Sequence, residues 1–326
     1  MLEDQRHGAA YWIDHYVVPT ADTARWGTFY TNVLGAVPRS NEERPERPGR
    51  AESTLFTFVG LCHVGGSPRK NGLTPGTGHP RYSYFIRTED VDEHLRRLDA
   101  NGVAHSGPIK TSEEGETGIV INFADPDGNG LQLWAPRRLP DGAMHNESPA
   151  KVGRISTAAF ESRDLAKTAD FYGRFCGLDP LQSAEVARDT MVFPLAGAGR
   201  LVFKEVERLG NRTLGHAVYR ALHTALVVRD DEFMPAMEQM YRELPEWDFD
   251  PEALPTLTSE EAGALPARTC IHGSPQGPGW KRTLGRGDSF CDWDTNGSHF
   301  VAGAPVDGSM TTFEPVSQNS FLEGRL

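Results

Sequence analysis

Histidine is the residue type in this sequence best suited to holding a reactive metal, and eleven are present. His15 lies in the apolar run Trp12 to Val18, His223 in the run Leu222 to Val228, and His299 in the short run Ser298 to Val301. A lone strand histidine is more often a satisfied core or surface residue than a ligand, so each needs partners before it counts. Converging neutral imidazoles would suit Fe(II), Cu(II), Ni(II) or Zn(II), whereas Mg(II) and Ca(II) ask for oxygen ligands. His79, His216 and His272 fall on or beside expected loops, where solvation is their ordinary fate. The four cysteines (Cys62, Cys176, Cys270 and Cys291) are scattered and form no CxxC pair, which argues against a thiolate zinc cluster or a disulfide framework.

The elements that must position such histidines are announced by an internal repeat. Asp22 is followed by Phe29, Tyr30 and Gly35; Asp164 is followed by Phe171, Tyr172 and Gly177, each pair of equivalents 142 positions apart. An apolar run precedes the aspartate in both copies, Trp12 to Val18 and Ile155 to Phe160. A short acceptor side chain at that point caps the free amides of a helix start, and glycine is suited to the helix end. Each copy therefore predicts a strand followed by an Asp-capped, Gly-terminated helix.

A second pattern lies between and after these copies. Tyr82 to Arg87 reads as a strand, Val91 to Leu98 as an amphipathic helix stopped by Asn101-Gly102, and Ile119 to Phe123 as an alternating strand. The run Asp125-Pro126-Asp127-Gly128-Asn129 then predicts a tight turn into a strand at Leu131 to Trp134. Its counterpart is Leu222 to Val228, a helix around Phe233 to Leu244, Ser289 to Cys291, the turn Asp292-Trp293-Asp294-Thr295-Asn296, and Ser298 to Val301. The chain thus divides into four βαβββ modules at about 10–68, 78–137, 152–208 and 215–305. Residues 1–137 carry the first two modules, 138–151 form a polar linker, and 152–326 carry the last two. The Pro- and Gly-rich stretch 245–287 is too long for an ordinary connection and is expected to be a lid or flap.

This succession of an Asp-capped helix carrying Phe-Tyr and a closing Gly, then Asp-Pro-Asp-Gly-Asn before a strand, resembles the vicinal oxygen chelate superfamily. That group includes glyoxalase I, extradiol dioxygenases, fosfomycin-resistance enzymes and bleomycin-binding proteins. The resemblance implies an α+β fold in which four βαβββ modules form two cupped mixed sheets, with one divalent metal held by first and last strands of paired modules. Carried over position by position, the ligand sites of the first module are His15 and His63, and those of the fourth are His223 and His299. The second module offers Tyr84 (or Tyr82 with a two-residue slip) and Gln132, and the third offers Thr157 and Glu205, which make no convincing set. Modules one and four are therefore expected to pair around the metal, an arrangement similar to single-chain glyoxalases of four modules.

A four-histidine site differs from the His-His-Glu triad that extradiol dioxygenases show and from the carboxylates of glyoxalase I. Without a ligating carboxylate the ion keeps its full +2 charge and favours an anionic bidentate ligand such as a catecholate, enediolate or α-keto acid. Asp14, Asp292 and Asp294 are near in sequence and could support the imidazoles, although turn and surface capping is the commoner role of such aspartates. No general base can be named, and none is required where metal and substrate carry the oxygen chemistry. The expected activity is a metal-dependent dioxygenase, with Fe(II) ahead of Zn, Ni, Cu or Mn, acting on a small phenolic or other oxygen-chelating substrate. The alternatives are a glyoxalase-type isomerase or lyase, and a non-catalytic resistance-type protein that sequesters a small molecule.

Composition sets the outer bounds. The 326 residues favour two domains over one, and 38% hydrophobic with 24% charged residues excludes a disordered chain. A formal charge of −12 repels phosphate backbones and anionic lipid, so nucleic acid and membrane are not expected partners. Met1 to His7 hold no apolar signal core and no apolar run reaches membrane-spanning length, so the protein is expected in the cytoplasm with reduced thiols. The expected partner is a small-molecule substrate, with a homodimer left open.

Overall fold

The computed structural model describes residues 10, 12–38, 55–60, 62–68, 81–111, 117–144, 150–162, 164–184, 186–207, 223–227, 270–271, 288–292 and 298–302. The first unit runs β1 (Trp12–Thr20), α1 (Thr23–Leu34), β2 (Val37–Pro38), β3 (Leu55–Val59) and β4 (Cys62–Pro68). The second runs β5 (Arg81–Phe85), α2 (Val91–Ala100), β6 (Ile109–Thr111), β7 (Gly118–Ala124) and β8 (Gly130–Pro136). The third comprises β9 (Ile155–Ser162), α3 (Leu165–Cys176), β10 (Thr190–Pro194) and β11 (Arg200–Glu205). The last contributes β12 (His223–Val227), β13 (Cys270–Ile271), β14 (Asp288–Asp292) and β15 (Ser298–Ala302). The helix expected around Phe233 to Leu244 lies outside the described residues, as does most of 245–287. Within that stretch Cys270–Ile271 forms an edge strand on β14.

The repeated caps work as their chemistry requires. The Asp22 carboxylate accepts the amides of Ala24 and Arg25 at 2.9 and 3.0 Å, and Asp164 accepts that of Lys167 at 3.0 Å. Gly35 and Gly177 end their helices at φ 64° and 62°, each returning its N–H to the carbonyl of the repeat's tyrosine, Tyr30 or Tyr172. This left-handed turn suits a residue without Cβ.

The strands assemble into two mixed sheets. One has eight strands in the order β13-β14-β15-β12-β1-β4-β3-β2, and the other has seven, β10-β11-β9-β5-β8-β7-β6. The first quarter of the chain therefore shares a sheet with the last, and the two middle units share the other. At the centre of each, first strands meet antiparallel (β1 with β12, β5 with β9), and each is flanked by a parallel last strand.

The sheets pack back to back through aromatic residues. Tyr16, Val18 and Leu226 of one sheet share a core with Tyr82, Tyr84, Leu133 and Phe160 of the other. The Tyr16 and Tyr82 rings stack at 3.6 Å with planes 6° apart. Their hydroxyls are satisfied locally: Tyr16 meets Tyr84 at 2.6 Å and Tyr30 at 3.3 Å, and Tyr82 meets Thr224 at 2.8 Å. Burial holds the tyrosine hydroxyls of this cluster well above their ordinary pKa, so they remain neutral hydrogen-bonding groups.

The Asp-Pro-Asp-Gly-Asn turn fixes the second sheet to the first. The Asp125 carboxylate accepts the amides of Asp127 and Asn129, both at 2.9 Å, and the side-chain amide of Asn129 at 2.7 Å. Burial pushes its pKa up to about 7, against the pull of these donors. Asp127 leaves the turn to accept from the Thr20 hydroxyl, the Ala21 amide (3.2 Å) and the Arg25 guanidinium (2.8 Å) at the start of α1.

Candidate metal centre and its counterpart in the second sheet

Alternation along a strand leaves each sheet a second face, turned away from the tyrosine core. In the eight-stranded sheet that face passes through His15. His15 is directly in register with His63 on one side and with Ala225 on the other. Ala225 is in turn in register with His299, and His223 stands two residues from Ala225, opposite Val17. Register partners belong to one face, as do residues two apart, so all four histidine positions fall on the His15 face. The row continues past His299 to Cys291 and Cys270, a cross-strand neighbourhood that sequence spacing did not suggest.

Of the four histidines, only the His15 side chain is among those described, and it is buried. It follows directly on a β-bulge: the pairing of β1 with β12 skips Asp14, between Ile13 and His15. A bulge adds one unpaired residue and re-aims the side chains beside it. Among the described residues no three His, Cys, Asp or Glu side chains stand together as a metal-binding group. The side chains of His63, His223 and His299 lie outside the described residues, as do those of Asp14, Asp292 and Asp294 and the whole of His79, His216 and His272. In donor type and backbone placement the four histidine positions suit a borderline divalent ion such as iron or zinc.

The seven-stranded sheet repeats this framework with different chemistry. Thr157, the repeat equivalent of His15, is in register with Arg200 on one side and Ser83 on the other, and Ser83 is in register with Gln132. Two expectations are corrected here. The first-strand position opposite Gln132 is Ser83, not Tyr84 or Tyr82, because those tyrosines lie on the opposite face and fill the core between the sheets. The last-strand position of the third unit is Arg200, not Glu205. Glu205 stands opposite Ser162 at the strand's end and is exposed.

These residues satisfy one another instead of presenting metal ligands. Ser83 Oγ donates to Gln132 Oε1 at 2.7 Å, Gln132 Nε2 donates to Asn122 Oδ1 at 2.8 Å, and Arg200 Nε donates to Thr157 Oγ1 at 3.2 Å. A guanidinium at the place corresponding to His63 would repel a cation, so this sheet does not fit a divalent metal.

Residues 12–133 match the family model for the Glyoxalase/Bleomycin resistance protein/Dioxygenase superfamily. The architecture of the described residues is likewise the vicinal oxygen chelate fold. A provisionally assigned dioxygenase of Bacillus subtilis is similar over 97% of this chain and 96% of its own, at 15% identity and a TM-score of 0.60. A point mutant of glyoxalase I from Zea mays is similar over 96% and 94%, at 15% identity and 0.57. Glyoxalase I of Zea mays itself gives 14% identity and 0.54 over the same shares. At such identities the likeness speaks for fold and not for reaction. No curated protein matches the sequence. Members of the superfamily are often enzymes, bind small molecules and generally bind divalent metals. No helix among the described residues is long and apolar enough to cross a membrane.

Proposed function

We propose that the chain is a metal-dependent dioxygenase of the vicinal oxygen chelate type, with His15, His63, His223 and His299 holding Fe(II) on the eight-stranded sheet. The observation that supports this reading is the backbone register that sets all four histidine positions on one face of β4, β1, β12 and β15. The first and fourth units would then act as one catalytic half, and the second and third as a half without metal. When bound, the ion would supply Lewis acidity and a redox partner for O₂. The protein's part is to bind, orient and exclude water. Four neutral imidazoles leave the ion's charge uncompensated, so the site selects a substrate that brings adjacent anionic oxygens, such as a catecholate or an α-keto acid. His15 is already buried, which favours chelation away from bulk water. The proposed setting is the cytoplasm.

Metal titration of chelator-treated full-length protein, read by calorimetry and by the visible spectrum of the Co(II) form, tests the ligand set. One transition metal should bind per chain. Replacing His15 or His299 by Ala should weaken binding by about 100-fold or more, since even outer-shell partners are worth about 10–100-fold. Oxygen consumption with catechol-like substrates then tests the reaction. Unchanged metal affinity in both variants removes the ligand set, and turnover without O₂ uptake moves the activity to the isomerase class.

A further inference from the structure

The eight-stranded sheet ends in a pair of cysteines that the sequence keeps apart. Cys270 opens β13, the outermost strand, and is the direct register partner of Cys291 on β14. Cys291 is in turn the partner of His299 on β15. Register partners share a face of the sheet, so the two cysteine positions stand side by side at the end of the row that carries the histidine positions. Directly opposed residues of antiparallel strands have Cα atoms about 4.5–5.5 Å apart, and a disulfide spans about 4.4–6.8 Å between Cα atoms. The backbone register therefore sets the two positions at bonding range without movement of either strand.

The place of the pair gives such a bond a consequence. β13 is two residues long and meets β14 through two register pairs, Cys270 with Cys291 and Ile271 with Phe290. So short an edge strand has little backbone pairing to retain it. A covalent bond from its first residue to β14 would fix it, and would close the loop of residues 271–290, which restricts the chain most when the strand is released. β14 pairs with β15 along five residues, so the fastened edge adjoins the strand that carries His299.

We propose that Cys270 and Cys291 are a redox modification site, a cross-strand dithiol that hydrogen peroxide converts to an intrachain disulfide, fastening β13 to β14. One thiolate attacks a peroxide oxygen, the O–O bond breaks, and the sulfur becomes a sulfenic acid as the first water departs. The second thiol then displaces the sulfenic hydroxyl, which leaves as the second water while the S–S bond forms. Two thiols and one peroxide thus give one disulfide and two waters, the two sulfurs supplying the two electrons that the peroxide accepts. A thiol reductant returns the pair to the dithiol. Cys62 and Cys176 lack this arrangement: the β3 partner of Cys62 is Val59, and Cys176 ends α3. The inference rests on backbone register and does not depend on a metal.

Full-length protein, with chelator present, is treated with hydrogen peroxide, blocked with iodoacetamide, digested with trypsin without reductant and mapped by mass spectrometry. Cys270 and Cys291 fall in separate tryptic peptides, Thr269–Lys281 and Gly287–Arg325, so their disulfide is read as a linked pair. That pair should be the main oxidised product, vanish with dithiothreitol, and be absent from Cys270→Ser and Cys291→Ser. Amide hydrogen exchange around Ile271 and Phe290 should slow by about tenfold or more on oxidation of the wild type and stay unchanged in either variant. If a serine variant does not fold, the wild-type map and exchange decide alone. The protein is metal-free throughout, so failure here and failure of the four-histidine set are separate results. No reaction, oxidation of either cysteine without a link, or a link to Cys62, Cys176 or a second chain overturns the site. Linkage with unaltered exchange overturns the fastening of β13.

Discussion

His94 offers a direct test of how the fold responds to pH. It lies on α2 with about 1% of its surface exposed. Burial, helped by the Arg97 cation, lowers its pKa from 6.5 to about 4. Asp90, Glu93 and the Lys151 backbone, which approaches the ring without meeting hydrogen-bond geometry, pull the other way and lose. Lys151 already engages both carboxylates, at 3.0 Å to Asp90 and 2.8 Å to Glu93, which leaves little negative potential for an imidazolium. Between pH 6.5 and 4 the unfolded chain therefore binds a proton that the folded chain refuses, so stability falls on acidification. At 1.36 kcal/mol per pH unit the loss is about 2 kcal/mol by pH 5 and about 3 kcal/mol by pH 4. Asp125, raised to about 7, contributes the opposite slope, so the wild type alone is not diagnostic. Urea unfolding of wild type and His94→Leu at pH 7.5 and pH 5 removes that term, because Asp125 is common to both. The wild type should lose about 2 kcal/mol relative to the variant. Parallel pH dependence would falsify the assignment, and a relative gain by the wild type in acid would mean that His94 is charged and held by Asp90 and Glu93.

Two further outcomes test the scaffold. Tyr16→Phe strips the Tyr84 and Tyr30 hydroxyls of a buried partner and should cost about 1–3 kcal/mol in urea unfolding, more than Tyr30→Phe, which loses only the 3.3 Å contact. Gly177→Ala should cost about 1–2 kcal/mol for its left-handed turn. Gly35→Ala should cost more than the left-handed turn alone, because its new Cβ would also lie 2.2 Å from that of Ala150; a loss of no more than about 1–2 kcal/mol would refute the close packing there.

What was legible in the sequence and what was not follows from the range of the interactions involved. The two Asp caps and the two Gly ends are settled within one or two helical turns, so short-range chemistry identifies them and their common offset exposes the repeat. The Asp-Pro-Asp-Gly-Asn turn is equally local, as Asp125 binds only its own neighbours. The second role of that motif, Asp127 on Thr20 and Arg25, spans more than a hundred residues and left no local trace.

Strand register is the longer-range quantity, and in the second unit sequence spacing misses it by one residue. Alternation gives no help in strands buried on both sides, and β9 is buried along its whole length while β5 is buried at all but its first residue. A slip of one changes the face, which is why spacing points to Tyr84 where Ser83 stands. The bulges compound this, since Asp14 and Ser156 each add a residue that no periodicity reveals. The spacing that indicated His63 nonetheless places it opposite His15 in the backbone. Both sheets thus share a central four-strand row and a bulge in its first strand, and differ in the residues that occupy them. His63, His15, Ala225 and His299 along one row, and Arg200, Thr157, Ser83 and Gln132 along the other, give one duplicated framework two different chemistries.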